Sequence, residues 1–249
     1  MSRDAILEAD HRQAGPPAQG SFSDEETEGL PDPVRRYFHV SIAQGTPLAR
    51  SARFDMRGSV KLGRRWIPFR AEETFAPLHG YLWRARVGGI LVGSDRYADG
   101  KGEMAWMLLG LVRVIHAEGS DVSRSSVGRL GAEAVWLPTA LLPRYGVTWR
   151  AADPHHVTAN YRLHETDVEL ECTLDDEARP RAVAIDRWGR PDNTEIHGPY
   201  RFEHELTRYS RFEGLTIPSA GRAAWFYGGE GSSGHDFFRY ELSRFRLVT

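Results

Sequence analysis

The residues best placed for chemistry are Arg129 and Glu133, which stand four positions apart in an apolar segment near the middle of the chain. Residues four apart lie on the same side of an α-helix. Arginine before glutamate is the weaker order for an ion pair that stabilises an exposed helix, so stabilisation of a surface helix explains this pair poorly. Two interpretations stay open: a buried ion pair that fixes the helix, or an anchor for a ligand carboxylate or carbonyl with Glu133 as base or orienting group.

Aromatic side chains form a second candidate group. Aromatic walls with a few polar groups are typical of small-molecule sites, although aromatic residues also fill the cores of β-barrels without any ligand. We expect one ligand site, in which Arg129 and Arg86 orient the ligand and Thr139 also contacts it. The aromatic residues that we assign to this site are Trp83, Trp106, Trp136, Trp225 and Tyr227.

An acidic and a phenolic side chain in one predicted strand are the third candidate. Asp95 and Tyr97 are two residues apart, so they share a face of the strand. If that face points inward, they could act as an acid/base pair beside Glu133.

Metal and cofactor sites are not indicated. The histidines are scattered and show no HExxH spacing, so we expect no metal ion. A GxSxG nucleophile elbow is absent. The glycine-rich stretch 228–234 is predicted to be a flexible loop, and no helix of useful length follows it. A phosphate-binding loop needs the N-terminus of such a helix, so we expect no bound nucleotide and no other cofactor.

The candidate residues would be positioned by a central helix at about 122–142. Two stripes of side chains run along it at helical spacing. The first stripe is Arg129, Glu133, Trp136 and Ala140, and the second, wholly apolar, is Leu130, Ala134, Leu137 and Leu141. A helix that is apolar around most of its circumference is buried on most sides, so we expect it to lie inside or across a sheet.

On both sides of this helix the hydrophobic period changes to two residues, which is typical of half-buried strands. In the segment 53–62, for example, Phe54, Met56 and Val60 alternate with polar side chains. Pro68 indicates an edge strand or a bulge in the next segment. We predict a mainly β fold, an antiparallel half-barrel or barrel of about ten strands, with the helix plugging its open side and short helices at the N-terminus.

The N-terminal part divides at about residue 22. Residues 1–22 are polar and contain glycine and proline, so we expect a flexible segment. Ser23 and Glu26 form a capping-box pattern for a first short helix, and Pro33 can start a second. Residues 23–249 contain no linker or repeat, so we expect them to form a single barrel-like domain.

Composition argues against several functional classes. The net charge is −2, with no basic cluster along the sequence, so neither nucleic acid nor an anionic membrane surface is indicated as a partner. Cys172 is the only cysteine, which excludes an internal disulfide and a cysteine-based metal cluster. No segment resembles a signal peptide or a membrane span, so we expect a cytoplasmic protein without integral membrane association.

Three segments together resemble a known family. They are Leu30–Phe38, Ala132–Pro143 and Gly198–Trp225, of which the second (AEAVWLPTALLP) is the most specific. From about Leu30 to the C-terminus the chain resembles an uncharacterised bacterial family, described only as a domain of unknown function. The resemblance implies no activity. By analogy, the plan of strands and a covering helix is similar to the half-barrels of lipoprotein carriers, a superfamily that includes lipid carriers and a cofactor-free biosynthetic enzyme.

Three functions stay open at this point. The first is the binding of a hydrophobic small molecule, such as a lipid, isoprenoid or polyketide, in an aromatic-lined cavity. The second is a cofactor-independent isomerase, cyclase or hydrolase of bacterial secondary metabolism, which acts on such a compound through Glu133 with Tyr97 or Asp95. The third is a structural module whose cavity is filled by side chains. The sequence does not indicate an oligomeric state.

Overall fold

A computed structural model describes residues 20–191, 196–226 and 235–249 of the chain. Thirteen antiparallel strands form one sheet with two free edges, so the half-barrel is open. The strands are β1 (Ser51–Leu62), β2 (Arg65–Ala76), β3 (Gly80–Val87), β4 (Leu91–Ala98), β5 (Lys101–Leu108), β6 (Val112–Glu118), β7 (Thr148–Ala151), β8 (His156–Leu163), β9 (Thr166–Leu174), β10 (Pro180–Gly189), β11 (Gly198–Phe212), β12 (Leu215–Phe226) and β13 (His235–Val248).

The sheet consists of two meanders joined at the first and the last strand. Strands β1 to β6 pair in sequence order, and so do β7 to β13, because short turns favour antiparallel neighbours. Pairing of β1 with β13, for example Met56 opposite Leu242, joins the two halves at the middle of the sheet. The free edges are therefore β6 and β7, which are consecutive in the chain.

Helix α2 (Ser120–Glu133) connects those two edges. Two glycines show that this helix packs closely on strands of both meanders. A Cβ atom at Gly102 of β5 would lie 2.7 Å from Oγ of Ser126, and one at Gly131 of the helix would lie 2.8 Å from Cδ1 of Ile185 in β10. Because one helix contacts strands of both meanders, the sheet must curve around it. The predicted mainly β half-barrel with a central helix is confirmed.

The central helix is shorter than the predicted 122–142. It is α-helical only to Glu133, and three 3-10 turns follow at Ala134–Trp136, Pro138–Leu141 and Pro143–Tyr145. Proline lacks the backbone N–H of a helical hydrogen bond and clashes with the preceding turn, so Pro138 is incompatible with a continuous helix.

This early end changes the positions of Trp136 and Thr139, which were predicted to contact a ligand. The Trp136 side chain is 0% exposed, its Nε1 donates to Oη of Tyr240 at 3.3 Å, and its ring meets that of Phe54 at 5.5 Å. The Thr139 hydroxyl donates to the carbonyl of Ala49 at 2.6 Å. The ligand-binding role predicted for both residues is not supported, because the chain turns them into the core.

The N-terminal helices are present in part. Helix α1 (Asp32–Ser41) begins next to Pro33, as predicted, and buries Val34, Tyr37 and Phe38. The segment after Ser23 forms only a 3-10 turn, without the side-chain bond of a capping box. Phe22 is buried and its N–H donates to the carbonyl of Thr46 at 2.8 Å, although the sequence placed residue 22 in the flexible segment. Residues 1–19 of that segment lie outside the described residues.

Two local predictions meet the structure in different ways. Strand β2 is an interior strand, paired with β1 and β3, so the edge predicted from Pro68 is wrong. Pairing with β3 begins at Phe69, so Pro68 lies at the end of that ladder, where its carbonyl accepts from the N–H of Gly88 at 2.8 Å. The thiol of Cys172 is buried, and burial raises its pKa to about 12, as expected for an inert core cysteine. None of the helices in the described residues has the length and apolarity to cross a membrane.

Truncation of the core tryptophan tests this packing. We expect Trp136→Ala to lower the free energy of unfolding by about 3–5 kcal/mol, since it leaves a large internal cavity. Urea unfolding followed by circular dichroism measures the change. The matched control is Trp66→Ala, because Trp66 is half-buried on β2 and its main neighbour is Arg239, 4.2 Å above the ring. A loss in Trp136→Ala no larger than in this control would contradict the placement of Trp136.

Candidate functional site

The candidate site lies between the concave face of the sheet and helix α2. Three side chains of the concave face come from directly paired strand positions: Glu73 of β2 is opposite Trp83 of β3, which is opposite Asp95 of β4. Directly opposite residues of antiparallel strands project to the same face, so the pairing register sets all three toward the helix. Trp106 of β5 adds a ring at 5.8 Å from Trp83, and its Nε1 donates to Asp95 at 2.9 Å.

Arg129 of α2 stands at the centre of three carboxylates. Its Nε is 3.0 Å from Oε1 of Glu133, NH1 is 3.5 Å from Oδ2 of Asp95, and NH2 is 3.5 Å from Oε1 of Glu73. Only 12% of the Arg129 side chain is exposed. The guanidinium also lies 4.5 Å from the centre of the Tyr81 ring. Both predicted interpretations of the Arg129–Glu133 pair therefore fit its position, because the pair is buried and faces the sheet.

Burial controls the protonation of this carboxylate cluster (Glu73, Asp95 and Glu133). Loss of water raises the pKa of all three carboxyl groups, most strongly that of Glu73, whose pKa the negative charge of Glu133 raises further. The positive charge of Arg129 opposes the shift at each of them. The same three carboxylates raise the pKa of Arg129, so the guanidinium stays charged.

A second guanidinium enters the site from the opposite meander. Arg187 of β10 donates to the carbonyl and the hydroxyl of Ser125 at 3.1 and 3.3 Å, and it lies 4.7 Å from the centre of the Phe202 ring. Burial lowers the pKa of Arg187 to about 10, and the charge of Arg129 acts in the same direction. Among the described residues no carboxylate oxygen lies within 4.0 Å of Arg187, unlike Arg129 with its three.

Three buried polar atoms at this site have no hydrogen-bond partner within the described parts of the chain. They are Oε2 of Glu133, Nε1 of Trp83 and Nδ1 of His204. Burial lowers the pKa of His204 to about 3, with Arg187 and Arg129 contributing, so its imidazole is neutral at physiological pH. A buried polar group without a partner costs about 1–3 kcal/mol, so these atoms are poised to accept a partner.

All three atoms belong to residues that line a cavity of about 550 Å³. One part of its lining is apolar and aromatic, and the charged groups come from helix α2 (Arg129, Glu133) and from strands β4 and β10 (Asp95, Arg187). The principal apolar lining residues are Trp83, Trp106, Phe202, Phe237, Phe238 and Met104. The volume is within the range of small-molecule pockets, and the combination of apolar wall and few polar groups is typical of them.

The structure brings together only part of the predicted site. Glu133, Asp95, Arg129, Trp83 and Trp106 all line this cavity.

The other predicted residues lie elsewhere. Tyr97 shares a strand face with Asp95, but its ring packs on His164 at 5.6 Å and does not line the cavity. Arg86 is exposed on the convex face, because it is three residues from Trp83 and side chains alternate along a strand. Trp225 stands behind Phe202, with ring centres 4.9 Å apart. Tyr227 and the loop at 228–234 lie outside the described residues.

Three residues of the site were missed in the sequence. Each is a polar residue at an inward position of a strand: Glu73 alternates with buried Ala71 and Phe75, Arg187 follows Ile185, and His204 lies between Phe202 and Leu206. These residues could have been found by searching for polar side chains on the apolar face of a predicted strand. Such side chains are rarely buried unless they have a binding partner or a function.

The pH dependence of the free energy of unfolding tests whether Glu73 is protonated in the native state. Because burial raises its pKa, the native state keeps a proton that the unfolded chain releases above about pH 4.3. Protonated Glu73 contributes its full stabilisation at a pH below the pKa of the unfolded chain. This stabilisation is lost as the pH rises from there through the pKa of the native state. Gln cannot release a proton, so we expect Glu73→Gln to match the wild type near pH 4. Above pH 5 the variant should become the more stable, by about 1.4 kcal/mol per unit of pKa shift.

The measurement is urea unfolding between pH 4 and pH 9. Glu241→Gln is the control, since hydrogen bonds from Arg57 and Arg208 lower the pKa of this exposed carboxyl group. A lowered pKa stabilises the native state above the unfolded pKa, so this variant should be the less stable one, with a difference that is constant above pH 6. A constant difference for Glu73→Gln over the same range would show that Glu73 is ionised throughout.

Comparison with solved structures finds similar chains at low identity. A LolA superfamily protein of Nitrosomonas europaea has a TM-score of 0.46 and 5% identity, covering 87% of this chain and 92% of its own. A DUF1329 family protein of Desulfovibrio piger has a TM-score of 0.35 and 9% identity, covering 80% and 86%. A domain of Vibrio parahaemolyticus, named as a putative outer membrane lipoprotein-sorting protein, has a TM-score of 0.39 and 9% identity. The match covers 80% of this chain and 86% of that domain. At these values the likeness carries no inference about function.

A search of curated proteins found no significant match. The family resemblance noted in the sequence is confirmed by a family model, which matches residues 20–234, most of the described chain and all of the candidate site except Phe237 and Phe238. The chain belongs to the family of unknown function DUF6544.

Proposed function

We propose that the protein binds a hydrophobic small molecule in the cavity between α2 and the concave face of the sheet. The observation that carries this proposal is the division of one cavity into an aromatic wall and a polar side with unpartnered atoms. A core that only needed filling would not keep about 550 Å³ of space beside buried charges. The hypothesis of a structural module without a cavity therefore loses its support. The cytoplasmic location predicted from the sequence is part of this proposal.

The aromatic wall supplies most of the affinity. Burial of apolar ligand surface contributes about 25 cal/mol per Å², and flat rings hold a chain or a fused ring system without losing much conformational freedom. Trp83 contacts Trp106 on one side and Phe238 on the other, at ring distances of 5.8 and 6.2 Å, so the wall is continuous. A lipid, isoprenoid or polyketide would lie along it.

The polar side sets the orientation and chemical class of the ligand. Oε2 of ionised Glu133 accepts hydrogen bonds, whereas Nε1 of Trp83 and the guanidinium of Arg187 donate them. A ligand hydroxyl can donate to Glu133 and accept from either donor at once. A ligand carbonyl can accept from Trp83 and Arg187 when Glu133 is protonated. We therefore infer an oxygenated hydrophobic compound with its hydroxyl or carbonyl group near Glu133.

Filling the cavity tests this proposal. Ala223 lines the cavity, whereas the next residue of β12, Ala224, projects to the other face of the sheet. Native mass spectrometry of the purified protein, followed by denaturing extraction, reports any bound compound. We expect Ala223→Phe to lose it and Ala224→Phe to retain it, because only the first ring occupies ligand space.

If the protein is purified without a ligand, the same pair of variants is compared in thermal shift with dodecanol, palmitic acid and farnesol. Stabilisation of wild type and Ala224→Phe, but not of Ala223→Phe, supports the proposal. No stabilisation of any of the three proteins by any compound would rule out binding of this class.

A second candidate function is cofactor-independent acid/base catalysis on the same compound. The observation that favours it is the Glu133 carboxyl group, whose pKa is raised by burial and whose Oε2 is unpartnered in the cavity. A carboxyl group whose pKa is raised is a stronger base when it is ionised, and it can return the proton that it accepts. Asp95 is a second carboxyl group that lines the cavity beside Arg129, whereas Tyr97 is not among the lining residues.

Substitution of Glu133 separates binding from catalysis. With the compound identified by native mass spectrometry, we expect Glu133→Gln to bind within about tenfold of the wild type, because the amide keeps the size and one acceptor of the carboxyl group. If Glu133 is the proton-transfer group, turnover should fall by 10²–10⁴-fold. Equal turnover in the variant would exclude Glu133, and conversion by neither protein would leave binding as the function.

A further inference from the structure

We propose that the ends of three adjacent hairpins form a docking surface for an anionic phospholipid bilayer. The hairpins connect β1 with β2, β3 with β4 and β5 with β6, and they lie side by side at one end of the sheet. We call this surface the apolar rim and define it by Leu62, Ile90, Leu109, Leu111 and Val112. The proposal stands on this surface alone and does not require a ligand in the cavity.

The apolar rim concentrates the exposed apolar side chains of the molecule. Ten large hydrophobic residues are exposed in the described residues, and nine of them belong to these three hairpins and their adjoining strands. Leu109 is 64% exposed and Leu111 is 80% exposed. The N–H of Leu109 donates to the carbonyl of Ile90 at 2.7 Å, which holds two hairpin ends together. An apolar patch of this kind, rimmed by charged residues, marks an interaction surface.

The backbone of the β5–β6 turn presents this surface at some conformational cost. Leu109 has a φ of 53° and is followed by Gly110 with a φ of 71°. Two-residue hairpin turns with positive φ favour Asn-Gly or Asp-Gly, and a leucine is disfavoured there. A leucine at this exposed turn position is therefore unfavourable for both backbone conformation and solubility, which indicates a use for the side chain outside the fold.

Along the sequence, the three segments that contain the hairpins carry charge of a single sign, and Glu72, opposite Arg84 of β3, lies just outside them. The segments 58–70, 84–94 and 105–117, which contain the three hairpins, hold seven arginine and lysine residues and no aspartate or glutamate. The whole chain, by contrast, has 32 basic and 34 acidic residues. The basic residues are Lys61, Arg64, Arg65, Arg70, Arg84, Arg86 and Arg113. The sequence showed no basic cluster because the fold gathers these residues from hairpins that are more than 20 residues apart.

Apolar tips flanked by basic residues match the interface of an anionic bilayer. The apolar side chains enter the boundary between headgroups and acyl chains, and the arginines and lysines contact lipid phosphates. A second copy of the chain is a poor occupant, because it would place the same seven positive charges opposite each other. We therefore favour the bilayer over self-association.

The apolar rim is continuous with the mouth of the cavity. Leu62 and Ile115 are exposed and also line the cavity, so apolar surface leads from the hairpin ends to the interior. On the opposite side of the mouth, Ile196 is exposed beside cavity-lining His197. Docking through the apolar rim would place the cavity mouth against the membrane.

Vesicle flotation of the full chain tests the proposal. The probes are vesicles of phosphatidylcholine alone and of phosphatidylcholine with 30% phosphatidylglycerol. We expect binding to the anionic vesicles that is at least tenfold stronger than to neutral ones and that weakens when salt is raised from 0.1 to 0.5 M. No binding to either vesicle overturns the proposal.

Two variants assign the binding to the apolar rim. Leu109→Asp with Leu111→Asp removes the apolar tip, and Arg64→Glu, Arg65→Glu and Arg113→Glu together reverse the charge. Each should reduce binding at least tenfold. The matched control reverses three exposed arginines of the other meander, Arg150, Arg162 and Arg181, with the same change of net charge. This control should bind as the wild type does, and equal losses in both triple variants would overturn the proposal.

A labelled variant gives a second readout. Cys172 is the only cysteine and is buried, so Leu109→Cys can be labelled selectively with an environment-sensitive dye. Its emission should shift to the blue on addition of anionic vesicles, and that of labelled Arg162→Cys should not. A shift that occurs without vesicles, in step with protein concentration, would identify a second copy as the occupant and overturn the proposal.

The cavity and the apolar rim can be tested separately. Ala223→Phe fills the cavity without touching the hairpin ends, so its vesicle binding should equal that of the wild type. Loss of vesicle binding in this variant would assign the lipid contact to the cavity and overturn docking through the apolar rim.

Discussion

A guanidinium can be removed from water only if anions replace the water, and this constraint organises the interior of the protein. Arg129 is held by carboxylates from its own helix and from two strands of the sheet. Those carboxylates repel one another, so they stay together only while the cation is between them. The ion pairs of Arg129 and the packing of core side chains therefore both hold the helix against the concave face. The cavity is the space that remains between these two kinds of contact.

The two sides of the cavity differ because they come from different elements. Strands contribute alternate residues, so one face of β2 to β5 can supply rings and carboxylates in a regular row. The cations come from elsewhere: Arg129 from the helix, and Arg187 from β10 in the opposite meander of the sheet. Neutral His204 lies close to both cations without adding to their charge. An amphipathic site thus follows from the way one helix crosses one curved sheet.

Much of this arrangement could be predicted from the sequence. The period of two residues predicted an antiparallel fold of about ten strands, where the structure has thirteen in its described residues, and the spacing of Arg129 and Glu133 identified the charged pair. The same rule of alternation would have separated Trp83 from Arg86, which are three residues apart and so project to opposite faces. It would also have marked Glu73 and Arg187 as polar residues on apolar faces. The position of Trp136 could not be derived from helical spacing, because Pro138 ends that spacing. Proximity between hairpins is a property of the fold, so the concentration of positive charge at one end of the sheet was not visible along the chain.

The joining of the two meanders has a consequence for biosynthesis. The last strand of the chain, β13, is the seventh of thirteen in the order of the sheet, and Met56 finds its partner in Leu242. During translation both half-sheets are complete before this strand leaves the ribosome. Until then, β1 and β12 each expose an unpaired edge, which is the part of a sheet most prone to pairing with other chains. The nascent protein is therefore most exposed to aggregation until β13 has been synthesised, and this strand then covers both edges at the centre of the sheet.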